Sequence, residues 1–293
     1  MNSVMSNQRK VLFVVHAARP NALDVAREAA RGLIKNGIKV LVAETDVANL
    51  GIDGIEHATN AAGCELVIVF GGDGTILRGV EIAREHNVPV LGVNLGHVGF
   101  LAEAEPEEIK TVIEVVVNKA WTVESRTALA ITVQPETGDS WTTWALNEVV
   151  IERQSNENMA NLLVSIDGHP LSQWNCDGLL CATPTGSTAY AFSAGGPVVW
   201  PEVEALLVVP VSAHALFNRP IVVSPKSLIE VQVISGPVIV SADGRRNKNV
   251  TDGAQVKVVR HPDSVQLARI HQTPFTQRLV AKFELPIHGW RAK

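Results

Sequence analysis

Cysteine is scarce. The 293 residues hold three, Cys64, Cys176 and Cys181. An odd, sparse set without C-x-x-C spacing argues against a disulfide framework and a tetrahedral zinc site, and reads as the reduced thiols of a cytoplasmic protein. Clustered positive charge is also missing. The formal net charge is −5, the sequence pI is about 6.0, and the longest basic cluster is Arg245-Arg246 with Lys248. A surface that tracks nucleic-acid phosphates needs more, so no nucleic-acid partner is expected and the cluster reads as a solvated turn. No apolar run approaches the ~20 residues of a membrane span. The opening "MNSVMSNQRK" is polar and lacks the apolar core of a signal peptide. Three common signatures are absent as well: the Walker loop, the G-x-G-x-x-G dinucleotide turn and the G-x-S-x-G nucleophile elbow.

What is present is 46% hydrophobic, enough for one large domain or two ordinary ones. The first part alternates strand-like and helix-like segments. "VLFVVH" (Val11–His16), "IKVLVA" (Ile38–Ala43), "LVIVF" (Leu66–Phe70) and "VPVLGV" (Val88–Val93) read as buried strands. A helix follows Val11–His16, with Asn21 as its cap, Asp24 in its first turn and Gly37 as its stop. A second is expected near Thr75–His86, and a third starts at Pro106 and ends near Lys119. This alternation predicts an α/β domain with a parallel, Rossmann-like sheet. After Trp121 the pattern becomes β-rich. "LLVSIDGHPLS" carries the hairpin dipeptide Asp167-Gly168. "SLIEVQVISGPVIVSADG" and "AQVKVVRHPDSVQLARI" each read as two strands joined by a turn. The tail reads as helical over Thr276–Phe283.

The stretch "VIVFGGDGTILRG" (Val67–Gly79) delivers a strand end into three glycines around one aspartate. Ligands bind beyond the carboxyl ends of strands in open parallel sheets. Gly71, Gly72 and Gly74 permit positive φ and close backbone approach. The helix that follows points its positive end at the same place, which makes an anion site suited to phosphate. A carboxylate beside phosphates serves as a metal ligand or as a general base for an attacking hydroxyl. The alternative is a turn aspartate that bonds its own backbone.

A second loop, "GVNLGHVGFLAE" (Gly92–Glu103), puts Asn94 at the next strand's carboxyl end; its Phe100 either covers an adenine or ribose or belongs to the core. In "CDGLLCATPTGSTAYAFSAGGP" (Cys176–Pro197), hydroxyls and glycines are dense enough to hydrogen-bond a polar ligand closely. In "ALNEVV" (Ala145–Val150), Asn147-Glu148 mark either an exposed strand face or a contact to ribose or base.

Taken together and in this order, "GGDGT", "VNLGHVGFL", "LNE", "CDGLLCATPTGSTAYAFSAGGP" and "DGR" (Asp243–Arg245) resemble the NAD kinase family over nearly the whole chain. The resemblance implies transfer of the terminal phosphoryl of ATP, or in some members inorganic polyphosphate, to the 2′-hydroxyl of the adenosine ribose of NAD. It also implies a divalent metal, normally Mg2+, and a homodimer or homotetramer whose subunits share sites. The implied organisation is an α/β domain over 1–122, with the tail 272–293 packing back on it, and a β-rich NAD-binding and oligomerisation domain over 123–271. Carried over by position, Asp73 is the proton acceptor with Gly74 beside it, and Arg78 contacts ligand. Asn147 and Glu148 bind the adenosine portion, and Asp177 contacts the nicotinamide end across a subunit boundary. Thr188, Ala189, Tyr190 and Ser193 line the adenine side, and Arg245 touches the dinucleotide. One departure stands out: Asn175 occupies a position where many relatives have a basic residue, and Arg245 is an alternative source of that charge. A diacylglycerol-type lipid kinase shares the glycine loop but favours a more apolar acceptor pocket. A binding-only NADP(H) sensor would bind dinucleotide without ATP turnover.

Overall fold

A computed structural model describes residues 8–16, 18–44, 50–53, 55–95, 99–155 and 158–287. The polar opening of the chain, Gly96 in the second loop and positions 288–293 of the tail lie outside the described residues. In chain order the elements are β1 (Lys10–Val15), α1 (Pro20–Lys35), β2 (Lys39–Ala43), β3 (Glu56–Ala58), β4 (Leu66–Phe70), α2 (Asp73–Arg84), β5 (Val90–Val93), α3 (Ile109–Asn118), β6 (Thr122–Arg126), β7 (Leu129–Gln134), β8 (Trp141–Ala145), β9 (Glu148–Arg153), β10 (Ala160–Ile166), β11 (His169–Cys176), β12 (Gly178–Ala182), α4 (Tyr190–Ser193), β13 (Leu206–Val211), β14 (Ile221–Val223), β15 (Ile229–Ser235), β16 (Val238–Ala242), β17 (Arg246–Val250), β18 (Gln255–Arg260), β19 (Val265–Arg269) and α5 (Phe275–Phe283). They form two compact units. One takes the described residues through Ser125 and again from Val265; the other is Arg126–Ser264. The return to the first unit begins at Val265, ahead of the 271/272 boundary expected from sequence, because β19 is a strand of that unit's sheet.

The first unit is a seven-stranded sheet of order β3-β2-β1-β4-β5-β19-β6, with parallel pairing from β3 through to β19. Val11–Val15 and Leu66–Phe70 are fully buried, as continuous apolar runs covered on both faces must be. Alternate residues Val11, Phe13, Leu66 and Ile68 pack on the Ala26, Ala30 and Leu33 stripe of α1 and on Val112 and Val116 of α3. The other face carries α2, whose Gly79 lies against Val67, Val69 and Val90. Helix α1 does not start as the sequence suggests. Its N-cap is Arg19, with no side-chain cap, and Pro20 holds the first helical position, where a fixed φ is pre-set for the helix. Asn21 is therefore inside the helix, and Asp24 lies beyond the first turn, paired with Arg27. Gly37 does end it, at φ 77°, with the Ile38 N–H returning to the Leu33 carbonyl.

The second unit consists of two six-stranded antiparallel sheets, β11-β10-β15-β18-β7-β8 and β14-β13-β12-β9-β16-β17. Their inner faces share one aliphatic core that includes Ile131, Ile151, Val164, Leu179 and Val240, and buries Trp174 completely. Asp167 and Gly168, both at positive φ, close the β10–β11 hairpin as expected. The other two expected strand pairs form their strands but no hairpin. Gly236 turns the chain from β15 in one sheet to β16 in the other. From β18 the chain leaves for β19, which pairs parallel to β5.

Candidate active site

In the first unit, the carboxyl ends of β1, β4 and β5 are tied together. His16 N–H donates to the Phe70 carbonyl and Gly71 N–H to the Val93 carbonyl, both at 3.0 Å. The sheet order reverses between β1 and β4, the switch point at which open α/β sheets bind their ligands. Helix α2 begins at Asp73, two residues earlier than the sequence suggests, with Gly72 as its cap. None of Gly71, Gly72 and Gly74 adopts the positive φ expected of them. The requirement at Gly71 is spatial. A Cβ on Gly71 would stand 2.5 Å from Thr75 Oγ1, whereas Gly72 and Gly74 meet nothing within 4 Å and leave the helix start open to a ligand. Arg78, one turn on, donates from Nη2 to the Val15 carbonyl at 3.1 Å, at the end of β1.

The Asp73 carboxylate is not engaged with its own turn. Oδ1 accepts the Leu101 N–H and Oδ2 the Phe100 N–H, each at 3.2 Å. Gly99 backs this pair, since a Cβ there would collide with Asp73 Oδ1. Each carboxylate oxygen keeps a further lone pair. Phe100 itself packs on Phe275 and Phe283 of α5, with ring centroids 5.9 and 5.7 Å away, which matches the core reading of this residue. Asn94 is 1% exposed and donates from Nδ2 to both oxygens of Glu105, at 3.0 and 3.1 Å; it shapes the second loop from inside.

In the second unit, Leu146-Asn147 links β8 of one sheet to β9 of the other. The link is clasped from two sides. Asp243 accepts the N–H groups of Leu146 (2.9 Å) and Asn147 (2.8 Å). Thr183 donates its hydroxyl to the Leu146 carbonyl at 2.5 Å, and its N–H to the Asn147 carbonyl at 2.9 Å. Gly186 presses so close to the Asn147 carbonyl that a Cβ would collide. Asp243 is held in turn by Arg246 at 2.9 Å, whose guanidinium lies 4.2 Å from the Trp144 ring centroid. Sequence reasoning missed Thr183, Arg246 and Asp243 as supports, although "DGR" and "TPTG" marked their neighbourhoods. Asn147 and Glu148 are both buried, at 9% and 7% exposure. Burial, and then the Asp243 carboxylate, push the Glu148 carboxyl up to about 8 against the opposing Tyr190 N–H.

The hydroxyl-rich segment packs Ala191 and Val199 on the outer face of the β9–β12–β13 sheet. Several of its hydroxyls serve its own backbone. Ser187 bonds the Pro184 carbonyl and the Val199 N–H, and Thr188 bonds the Thr185 carbonyl. Tyr190 and Ser193 are exposed, with Thr188 and Ala189 half-buried beside them. A cavity of about 230 Å³ is lined by Glu152, Arg153, Asp177, Gly178, Tyr190 and Val211. Burial and the carboxylates of Glu152, Asp177 and Glu148 raise the Tyr190 phenol above its usual range. Asp177 pairs with Arg153 Nε at 2.8 Å. Asn175 and Arg245 are exposed; the Asn175 carbonyl accepts the His214 N–H.

Two family models match this chain: the ATP-NAD kinase N-terminal domain over residues 11–121 and the ATP-NAD kinase C-terminal domain over residues 146–270. The NAD kinase 2 of Streptomyces avermitilis is 50% identical over 291 residues, covering 97% of both chains. The chain belongs to the ATP-NAD kinase family. It is an enzyme, a kinase. The NAD kinase of Mycobacterium tuberculosis is 46% identical over 309 residues, covering 99% of this chain and 100% of that one. Among solved structures, yeast NADH kinase complexed with NADH superposes with a TM-score of 0.87 at 25% identity, covering 97% of this chain and 90% of that chain. An NAD kinase from Archaeoglobus fulgidus in complex with ATP gives a TM-score of 0.73 at 25% identity, covering 94% and 98%. Kinases of the ATP-NAD family generally use a divalent metal with ATP. Among the described residues no three His, Cys, Asp or Glu side chains gather to hold a metal ion.

Proposed function

We propose that this kinase transfers the terminal phosphoryl group of ATP to the 2′-hydroxyl of the adenosine ribose of NAD, giving NADP and ADP. The observation that carries the reading is the Asp73 carboxylate, fixed by two backbone N–H groups at the first position of a helix whose glycine-flanked start is open. A ribose hydroxyl is barely ionised at neutral pH. Asp73 accepts its proton as the oxygen bonds to the terminal phosphorus, and the bond from that phosphorus to the bridging oxygen breaks to release ADP. A positioned base of this kind contributes typically ~10²–10⁴ in rate. The rest of the barrier is lowered by positioning and by charge stabilisation. With no Walker lysine, the N–H groups at the start of α2 and the Arg78 guanidinium are this chain's share of the latter. A bound divalent ion, in our reading Mg2+, neutralises phosphate charge.

The same reading gives Asn147 and Glu148 the adenosine portion, with Tyr190 and its neighbours Thr188, Ala189 and Ser193 on the adenine side. Asp177 takes the nicotinamide end, and Arg245 lies against the dinucleotide. Inorganic polyphosphate is a second donor in this proposal, and the enzyme works as a homodimer or homotetramer in the cytoplasm. The test is a coupled assay for NADP formation with ATP or polyphosphate, with and without EDTA. ATP-dependent NADP formation abolished by EDTA is expected. Dinucleotide binding without turnover, or transfer to a lipid alcohol in preference to NAD, overturns the reading.

A further inference from the structure

Four consecutive peptide units after Gly99 connect Asp73 to the C-terminal segment. The first two present the Phe100 and Leu101 N–H groups to the Asp73 carboxylate. The next two present their carbonyls the other way: Leu101 to Arg269 Nη1 at 3.3 Å, and Ala102 to Arg278 Nη1 at 2.7 Å. Glu103 follows with a side chain that is 0% exposed. Its Oε2 accepts Arg269 Nη1 at 2.9 Å and Arg278 Nη2 at 2.5 Å, and its Oε1 accepts the N–H groups of Ile270 (3.2 Å) and His271 (2.8 Å). Arg269 is fixed in turn by Glu124 at 2.6 Å. On the same helix as Arg278, Phe275 and Phe283 hold the Phe100 ring. The strip that aims Asp73 therefore has its rear surface built by β19 and α5.

A bidentate guanidinium on a carbonyl and a buried carboxylate fixes both distance and plane. Few alternatives remain for a backbone strip held by side chain, ring and carbonyl together. We propose that Arg278 is a positioning residue for the reaction: through the Ala102 carbonyl and Glu103 it sets the Phe100–Leu101 amides that orient Asp73. In this proposal Arg278 acts only through that carboxylate. The inference rests on Asp73 being the proton acceptor.

The test is a double-mutant cycle on turnover. Arg278→Met alone is expected to lower kcat by about 10- to 100-fold, the scale of a misplaced catalytic group, with KM for NAD and ATP changed by less than about twofold. In the Asp73→Asn background the same substitution is expected to lower kcat by less than about twofold further, because the group it orients is gone. Equal fold-losses in the two backgrounds, or unchanged kcat in R278M, overturn the positioning role while leaving Asp73 as the base. Near-normal turnover in D73N alone overturns both. If R278M proves unfolded by circular dichroism, Arg278→Lys, which keeps the cation but loses the two-pronged guanidinium contact, carries the same cycle and the same outcomes.

Discussion

Glu148 sits beside the carboxylate of Asp243, and among the described residues its Oε2 has no hydrogen-bond partner. Burial raises its carboxyl from an ordinary 4.5 to about 8. Below the ordinary value both native and unfolded chains hold the proton. Between 4.5 and about 8 the native chain keeps a proton that the unfolded chain has released, so this group's contribution to stability falls as pH rises. Above about 8 both are ionised and the loss levels off. Asp243 is raised in the same direction, by its own burial, and is present in either variant. Glu148→Gln removes only the first contribution. Its melting temperature relative to the wild type is expected to climb steadily from about pH 5 to about pH 8 in calorimetric scans. A difference that stays constant over that range contradicts the assignment of a buried, protonated Glu148.

The link between β8 and β9 shows what one hydroxyl does for two elements. Thr183 closes a hydrogen bond to the Leu146 carbonyl and accepts the Gly186 N–H at 3.1 Å, all of it buried. Thr183→Val keeps the shape and strands both groups. A buried unmet donor or acceptor costs about 1–3 kcal/mol. We expect a stability loss of that order by denaturant titration and a raised KM for NAD, with KM for ATP unchanged; a rise confined to ATP would reverse the assignment of this turn to the dinucleotide. Such elements are unevenly legible in the sequence. The strands β1 and β4 announce themselves as continuous apolar runs because burial on both faces demands apolar residues throughout. The Gly236 turn announces itself too, but not which sheet the next strand joins, since that depends on which core face is left to cover. Hydroxyl density in Thr183–Ser193 suggests ligand contact, yet Ser187 and Thr188 bond their own segment, a choice that composition does not encode. Arg153 reaches Asp177 because Glu152 pairs with Gly178 across two strands, a register invisible from spacing alone.

At the scale of the whole molecule, three buried cysteines carry no disulfide, and burial pushes the Cys176 and Cys181 thiols up to about 12, so neither offers a thiolate near neutral pH. No helix among the described residues is long and apolar enough to cross a membrane. The α/β unit with its glycine turn and the β-rich unit with its "LNE" and "TPTGSTAY" segments are both legible in the sequence. The early return of the chain at β19 is not, because one short strand near the end of a β-rich run gives no local sign of joining a parallel sheet. That return backs the strip that holds Asp73, the base of the proposed reaction. The most direct measurement is the single-turnover rate of phosphoryl transfer in Asp73→Asn, with NAD and ATP both saturating and NAD affinity measured alongside. The account predicts a rate at least ~100-fold below the wild type with NAD affinity preserved; a rate close to the wild type would contradict it.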